Sequence, residues 1–271
     1  MPSFGLIVIG DEILSGKRAD KHMAKLIELL ATRGLALAWA DYVGDEPERI
    51  TATLARAFDS ADLVFCTGGI GATPDDHTRQ CAARALGVAL VLHPEAERLI
   101  RERIADVARE KGLPYEPERA DNQHRLNMGV FPAGARIIPN PYNKIPGFSC
   151  ARAGRLPHVH FVPGFPVMAW PMIEWVLDQH YAGLFHQDAR AEKSVIVYGA
   201  MEATLTPLME QFEVRHAGIK VFSLPSVDHP VYGRHIELGV KGPQARVDQA
   251  FDELKTGLHH FELTLGPELV R

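Results

Sequence analysis

The segment Leu63–His77 constrains the fold more than any other part of this chain of 271 residues. An apolar run at Leu63–Cys66 predicts a short buried strand, and a helix is predicted from Pro74 to Leu86. Between them lies a turn with three glycines, which allow positive φ angles and close approach of the backbone. These glycines are Gly68, Gly69 and Gly71. The segment is therefore predicted to be one strand–turn–helix unit.

This turn has two interpretations. Thr73 suits a helix N-cap, Pro74 suits the first helical position, and Asp76 lies three residues after the cap, as in a capping box. The free N–H groups at such a helix start bind anions, phosphate above all. The carboxylates of Asp75 and Asp76 would repel a bound phosphate unless a metal ion or a proton lay between the carboxylates and the phosphate. Turn chemistry alone supports a phosphate site and a ligand-free turn about equally, because glycine-rich turns of this kind are common.

Two further strand–helix units precede this segment. Strands are predicted at Gly5–Ile9 and Leu35–Val43, followed by helices at Asp20–Arg33 and Pro47–Asp59. Repeated strand–helix units predict a parallel sheet with right-handed crossovers. The segment Gly10–Gly16 is predicted to be a loop at the carboxyl end of the first strand, where open α/β sheets bind ligands.

Later segments predict a second, smaller domain. A helix at Pro94–Lys111 is followed by a proline-rich, loop-rich stretch at residues 112–148, a strand at His158–Val162 and a helix at Met168–Tyr181. The linker near Phe185–Arg190 is a domain boundary, so the predicted domains are residues 1–185 and 190–271. The second domain has the β-α-β-β-α order of a small split-βαβ fold, with a last strand near residues 261–265. Its strands are predicted at Lys193–Tyr198, Lys220–Leu224 and Arg234–Val240, and its helices at Glu202–Phe212 and Arg246–Leu258.

Composition excludes several classes of partner. The formal net charge of −5 argues against a nucleic-acid-binding protein, because such domains carry a basic face. Three cysteines without CxxC spacing indicate a reducing compartment and no zinc site. No apolar run approaches the roughly 18 residues of a membrane helix. The start of the chain has no basic segment typical of a signal peptide, so a cytoplasmic location is predicted.

Six short motifs occur in order along about two-thirds of the chain. They are Gly10–Gly16, Val43–Asp45, Thr67–Asp76, Asn122 with Arg125, Pro146–Phe148, and Pro163–Pro166. Together they resemble the molybdenum-cofactor-biosynthesis (molybdopterin-binding) domain, and within that superfamily the amino-terminal part of CinA-like competence/damage-inducible proteins. The tail from about residue 190 also resembles the small domain that follows in CinA-like proteins. The deamidase domain that ends full-length CinA has no counterpart in these motifs, so its activity is not inferred.

The resemblance implies an α/β fold, with a three-layer αβα domain, a mostly parallel sheet and a small α+β carboxy-terminal domain. It also implies a pocket for a phosphorylated ring ligand, either a pterin such as molybdopterin or a nucleotide diphosphate such as ADP-ribose. Relatives are commonly dimers or trimers, so a homo-oligomer is expected. The implied ligand-binding residues are Thr67, Gly68, Gly69, Gly71, Thr73, Asp75, Lys144, Pro146, Gly147, Pro163, Gly164, Asn122 and Arg125.

The resemblance further implies that Asp76, Asp45 and Glu12 are catalytic and hold a divalent cation such as Mg²⁺, Mn²⁺ or Co²⁺. From the residues alone, each of these acids also has a structural interpretation. Asp76 would be the acid of a capping box, Asp45 a turn residue, and Glu12 a solvated charge in a loop. His22, where relatives often have Asn, is expected to be a histidine on a helix surface. Three functions follow: a metal-dependent hydrolase of a nucleotide diphosphate, a non-catalytic pterin- or nucleotide-binding protein, and a molybdenum-cofactor biosynthesis factor.

Overall fold

The computed structural model describes residues 2–187 and 190–270. The chain divides into two compact units, Met1–Phe185 and His186–Arg271. The predicted linker at Phe185–Arg190 includes residues 188 and 189, which lie outside the described residues. Each unit has its own hydrophobic core.

The first unit is built on a six-stranded sheet with the order β2-β1-β3-β8-β7-β6. Neighbouring strands among β2, β1, β3 and β8 are parallel, whereas β7 is antiparallel to both of its neighbours. The sheet is therefore mostly parallel, as predicted. Its strands are β1 (Phe4–Ile9), β2 (Leu37–Val43), β3 (Leu63–Thr67), β6 (Arg136–Ile138), β7 (Gly147–Cys150) and β8 (Val159–Val162).

Helices cover both faces of this sheet and confirm the three-layer arrangement. On one face, α2 (His22–Ala31) and α7 (Pro166–His180) bury leucine, isoleucine and valine side chains against the strands. On the other face, α3 (Pro47–Asp59) and α4 (Thr78–Leu86) contribute to a second core. This separation follows from the strands, which are buried on both sides, so that alternate side chains enter different cores.

Three corrections to the predicted elements concern the surroundings of the sheet. The loop predicted at Gly10–Gly16 contains a short helix, α1 (Asp11–Leu14). The helix predicted from Pro74 begins instead at Thr78, because Thr73 and Asp76 bond to each other and close a separate turn before it. The loop-rich stretch contains α6 (Ala120–Arg125) and short strands, among them β5 (Val130–Pro132), which pairs with β4 (Leu90–Leu92). The charged helix α5 spans Pro94–Glu110.

The second unit is a four-stranded antiparallel sheet with the order β10-β11-β9-β12. Its elements follow the predicted β-α-β-β-α order with a last strand after it, and helices and sheet share one core. The last strand lies later than predicted. The elements are β9 (Arg190–Tyr198), α8 (Glu202–Arg215), β10 (Lys220–His229), β11 (Gly233–Pro243), α9 (Gln244–Leu258) and β12 (Thr264–Val270).

Across the described ranges 2–187 and 190–270, no helix is both long enough and apolar enough to cross a membrane.

Candidate functional site

A cavity of about 460 Å³ lies at the carboxyl ends of β1, β3 and β8. Gly10 follows β1, the Gly68–Thr73 segment overlaps the end of β3, and Pro163 and Gly164 follow β8; all of them line the cavity. The chain passes from β1 to β2 on one side and returns to β3 on the other, so the strand order reverses at this point. Open α/β sheets bind ligands in the crevice that such a reversal creates. We call this space the main cavity.

The glycine turn has the conformation that its sequence predicts. Gly68 and Gly69 have φ angles of 97° and 67°, which favour glycine. A Cβ atom on Gly68 would lie 2.2 Å from the carbonyl oxygen of Ile9, so no larger residue fits. The backbone N–H of Thr78 donates to the carbonyl of Gly69 at 3.0 Å, which fixes the turn to the start of α4.

The same turn leaves donors available to a ligand. Among the described residues, the backbone N–H groups of Gly69, Ile70 and Gly71 have no hydrogen-bond partner. All three residues line the main cavity. Successive N–H groups without a partner can hold an anion in the way that phosphate-binding turns do.

Asp76 is held beside this turn by Thr73. Its Oδ2 atom accepts hydrogen bonds from the backbone N–H of Thr73 at 2.8 Å and from the Thr73 hydroxyl. The backbone N–H of Asp76 donates to the Thr73 carbonyl at 3.1 Å. A Cβ atom on Gly71 would lie 2.6 Å from the same Oδ2, so the glycine makes room for the carboxylate. The Asp76 carboxylate therefore accepts the bond expected of a capping box, but the bond closes a separate turn at residues 73–76, ahead of the first turn of α4.

Asp45 and Asp11 exchange hydrogen bonds between the loops after β2 and β1. The Asp11 N–H donates to Asp45 Oδ2 at 2.9 Å, and the Asp45 N–H donates to Asp11 Oδ1 at 3.2 Å. Partial burial raises the pKa of Asp45. The negative charges of Asp11, Glu12 and Asp75 raise this pKa further, against the lowering by the bond from Asp11.

The predicted metal ligands share the main cavity without forming a preassembled metal site. Glu12, Asp45 and Asp76 all line it. Within residues 2–187 and 190–270, however, no three or more His, Cys, Asp or Glu side chains are grouped closely enough to hold a metal ion. This donor set fits Mg²⁺ in the way that phosphate-handling proteins commonly hold it, with one or two carboxylates and the remaining positions filled by ligand oxygens and water.

Arg18 is a cavity residue that the sequence analysis missed. It is the sole Lys or Arg among the residues that line the main cavity, and its guanidinium has no ion pair or hydrogen bond among the described residues. Its backbone N–H donates to the Glu12 carbonyl at 2.9 Å, which positions Arg18 beside α1. The available signal was its place in the loop after the first strand, eight residues beyond Gly10.

The opposite wall of the main cavity is largely apolar, with two amides. Asn140 donates through Nδ2 to Asn143 Oδ1 at 2.9 Å and to the Ile145 carbonyl at 2.9 Å, which fixes the loop before β7. This wall presents thioether, aromatic and proline surfaces that suit a flat ring. Its apolar members are Met128, Ile145, Pro146, Pro163, Phe165 and Met168.

Several predicted ligand residues lie outside the lining of the main cavity. Gly147 is buried in β7, where a Cβ atom would lie 2.3 Å from the Phe161 carbonyl oxygen, so it is a packing glycine. Thr67 is buried at the end of β3, and its hydroxyl has no partner among the described residues. The Lys144 ammonium pairs with Asp106 at 2.6 Å, which directs it towards α5.

The remaining two predicted ligand residues belong to α6. The Asn122 side chain is buried and donates to the Glu116 carbonyl at 2.8 Å, so it fixes the loop before that helix. Arg125 lies in the last turn of α6 and is also not among the residues that line the main cavity. The other predicted ligand residues line it: Gly68, Gly69, Gly71, Thr73, Asp75, Pro146, Pro163 and Gly164.

His22 is not the surface histidine that was predicted. It is only 4% exposed, and its Nε2 atom lies 3.0 Å from the carbonyl oxygen of Gly164. The reason is its place at the first position of α2, which faces the Pro163–Gly164 loop.

The profile described as a probable molybdopterin binding domain matches residues 5–181. The chain belongs to this molybdopterin-binding domain family. The matched range ends within four residues of the boundary of the first unit at Phe185, so the family domain corresponds to the unit that contains the main cavity.

Individual relatives agree with this assignment. A protein of Pyrobaculum calidifontis is 30% identical over 260 residues, which cover 94% of this chain and 95% of the relative. A CinA-like protein of Anaeromyxobacter dehalogenans is 34% identical over 173 residues, covering 64% of this chain but only 40% of the relative. The crystal structure of CinA from Thermoplasma acidophilum matches with a TM-score of 0.54 and 27% identity, over 65% of this chain and 97% of that structure. The first unit is therefore CinA-like.

Proposed function

We propose that the main cavity binds a phosphorylated ring ligand and that the protein is a metal-dependent hydrolase of a nucleotide diphosphate such as ADP-ribose. One observation carries this proposal: the unpartnered N–H groups of Gly69–Gly71, the unpaired guanidinium of Arg18 and three carboxylates line the same cavity. The N–H groups and the guanidinium suit phosphate oxygens, while the carboxylates suit a divalent cation that neutralises a diphosphate.

The proposed division of labour follows from the charges. The Gly69–Gly71 amides hold one phosphate and stabilise negative charge that builds on its oxygens during attack. Arg18 clamps a second oxygen and orients the diphosphate across the cavity. A divalent cation held by Asp76 with Glu12 or Asp45 would supply Lewis acidity and lower the pKa of a bound water. Where Asp76 and Glu12 hold the cation, Asp45 stays free of it; its raised pKa means that it accepts a proton more readily than an isolated aspartate, which suits it to take one from the attacking water.

A second candidate function is binding without turnover. The description of the family names molybdopterin, and the apolar wall with the Asn140 and Asn143 amides suits a pterin as well as an adenine ring. In that case the carboxylates bind a cation or donors of the pterin, and no bond is broken. A role in molybdenum-cofactor biosynthesis is a third candidate, which the molybdopterin in the description of the family favours as well.

The deciding experiment incubates the purified protein with ADP-ribose, FAD, NAD or CoA, each with Mg²⁺, Mn²⁺ or Co²⁺. Released mononucleotide is measured by chromatography. Asp76→Asn removes a carboxylate from the cavity, and Asp228→Asn removes an exposed carboxylate from the second unit as a matched control. We expect metal-dependent AMP release that Asp76→Asn lowers at least a hundredfold and that Asp228→Asn leaves within twofold. Absence of release from every compound would overturn the hydrolase proposal and favour binding without turnover.

A further inference from the structure

A second cavity of about 380 Å³ lies on the other side of the segment that carries Asp76. Ala72, Thr73 and Asp76 line both cavities, so this segment is their common wall. The remaining lining of the second cavity comes from the residues at and before the start of α4, from β4 and from the stretch that runs from the end of α6 to the first residue of β5. None of the six motifs that carry the family resemblance assigns a role to this space.

Arg79 is a buried cation that lines the second cavity. It is 5% exposed, and one Nη atom donates to the carbonyl of Gly71. Its Nε atom is buried without a partner, and the guanidinium forms no ion pair among the described residues. Burial without a counter-ion disfavours the charged form and lowers the pKa of Arg79, and the nearby Asp76 only partly opposes this effect. A buried guanidinium of this kind is stabilised when an anion completes its hydrogen bonds.

The start of α4 points to the same chemistry. This nine-residue helix has no side-chain cap bond within the described part of the chain. Its N-cap residue His77 lines the second cavity together with Arg79 and Gln80 of the first turn. The N–H of Thr78 already donates to the Gly69 carbonyl, but the N–H groups of Arg79 and Gln80 have no partner among the described residues; these two groups and the helix dipole favour a negative charge there. His124 and Asn127 complete the polar lining, and His124 Nε2 lies 3.0 Å from the Ala72 carbonyl oxygen.

The second cavity is lined by fewer acidic side chains than the main cavity. Asp76 is the one acidic residue in its lining, and Oδ2 of this carboxylate already accepts two hydrogen bonds from Thr73. The lining therefore offers more donors than acceptors for a ligand. The volume equals that of about a dozen water molecules, at about 30 Å³ each, which is room for a phosphate with a small organic group attached.

We propose that the second cavity is an anion site that binds a phosphate group through Arg79 and the N-terminus of α4. The group is either free phosphate or the phosphate of a small ester such as a sugar phosphate. This site is independent of the proposed hydrolase, since it needs neither a metal ion nor turnover in the main cavity.

The test measures binding of orthophosphate, ribose 5-phosphate and ribose by titration calorimetry, without divalent metal. Arg79→Gln removes the buried charge, but it also removes the bond to Gly71, so its effect alone is ambiguous. Asn127 is exposed at the edge of the cavity, and its substitution leaves the core intact. Asn127→Lys adds a cation there and Asn127→Asp adds an anion, which gives a matched pair. Circular dichroism and thermal melting verify that each variant folds.

We expect phosphate-dependent binding that Asn127→Lys strengthens and Asn127→Asp weakens, each by about three- to tenfold, and that Arg79→Gln abolishes. Equal affinity for orthophosphate and ribose 5-phosphate would identify the bare phosphate as the ligand, and tighter binding of the ester would identify a sugar phosphate. The proposal is overturned if neither compound binds, if ribose binds as well as ribose 5-phosphate, or if the two Asn127 variants leave the affinities unchanged. It is also overturned if binding is lost in Arg18→Gln alone, because that residue lines the main cavity.

Discussion

The Nε2 atom of His22 lies 3.0 Å from the backbone carbonyl oxygen of Gly164, so the first turn of α2 holds a wall of the main cavity. A carbonyl oxygen only accepts hydrogen bonds, so Nε2 is the donor in this contact. The other ring nitrogen, Nδ1, is buried and has no hydrogen-bond partner in the part of the chain that the structure describes. The sequence could not indicate this contact, because it joins residues 142 positions apart.

Replacing His22 tests whether this contact shapes the main cavity. His22→Leu leaves the Gly164 carbonyl without its donor, and we expect it to lower the free energy of unfolding by about 1 kcal/mol and to weaken ligand binding several-fold. His22→Gln keeps an N–H donor in a comparable position and is expected to retain most of both. Chemical denaturation and titration calorimetry measure the two effects. Equal behaviour of the two variants would show that the bond to Gly164 has no part in binding.

Arg18 and Lys144 form a matched pair of cations with opposite expectations. The Arg18 guanidinium lines the main cavity and has no partner within the described ranges, whereas the Lys144 ammonium is paired with Asp106 and lies outside the lining. We expect Arg18→Gln to weaken binding of a nucleotide diphosphate at least tenfold, a loss of about 1.4 kcal/mol. Lys144→Gln is expected to change this affinity by less than twofold. The reverse order would restore the phosphate role that the family resemblance implied for Lys144.

The acidic loops predict an unusual pH dependence of stability. The pKa of Asp45 is raised in the folded protein, so the folded state holds a proton on this carboxyl to higher pH than the unfolded chain does. Stability from this group is present at low pH and is lost as the pH rises through the folded pKa. Asp45→Asn keeps an acceptor for the Asp11 N–H and removes the charge. We expect it to stabilise the protein at pH 7 by about 0.5 kcal/mol, since the group is partly exposed, with little effect below pH 4.

Denaturation at several pH values measures this difference. A constant gap between Asp45→Asn and the unaltered protein from pH 3 to pH 8 would exclude the charge explanation.

A buried network predicts the opposite pH dependence. Ser149 Oγ lies 2.8 Å from His160 Nδ1, and His160 Nε2 lies 2.6 Å from the Tyr181 hydroxyl oxygen. Burial lowers the pKa of His160 to about 3, so the folded protein keeps this ring neutral. The unfolded chain takes up a proton near pH 6.5, so the stability from His160 is present above this pH and is lost as the pH falls towards 3.

Replacing each partner separates the charge from the hydrogen bond. His160→Gln should reduce the loss of stability between pH 6.5 and pH 4, although the variant is less stable at pH 7. Tyr181→Phe should cost about 1 kcal/mol at every pH and keep the slope of the unaltered protein. Thermal melting across this pH range measures both. An unchanged slope in His160→Gln would assign the acid sensitivity to other groups.

The parts of the fold that the sequence predicted are those in which local pattern and burial agree. β1 and β3 are fully buried apolar runs, and a glycine turn or loop ends each of them. The helices that follow β1 and β3 carry apolar residues at helical spacing, so the helix and sheet layers of the first unit could be predicted from this periodicity. The strands β6 and β7 have only three and four residues and lie among prolines, so no periodicity revealed them. Likewise, four residues are too few for α1 to produce a helical pattern.

The sequence predicted those parts of the main cavity in which backbone atoms form the wall. Gly68 and Gly69 reveal their role through the φ angles that their turn requires. Side chains that depend on packing between distant segments were harder to predict: the one signal for Arg18 was its place shortly after the first strand, and Lys144 pairs with Asp106, 38 positions away. The start of α4 was misplaced because the Thr73–Asp76 pair satisfies the capping-box pattern inside a turn.

The central claim, that the main cavity binds a phosphorylated ring ligand on its glycine turn, is tested most directly by calorimetric titration of ADP-ribose into Gly164→Leu. A Cβ atom on Gly164 would lie 3.5 Å from the Gly68 Cα, so a leucine side chain extends over the turn. Gly183→Leu is the matched control, because a Cβ atom there, its two chain neighbours aside, has no atom of the described residues within 4 Å. We predict that Gly164→Leu weakens binding at least tenfold and that the control stays within twofold. Unchanged affinity in Gly164→Leu, with the variant folded, would contradict the claim and place the ligand elsewhere on the protein.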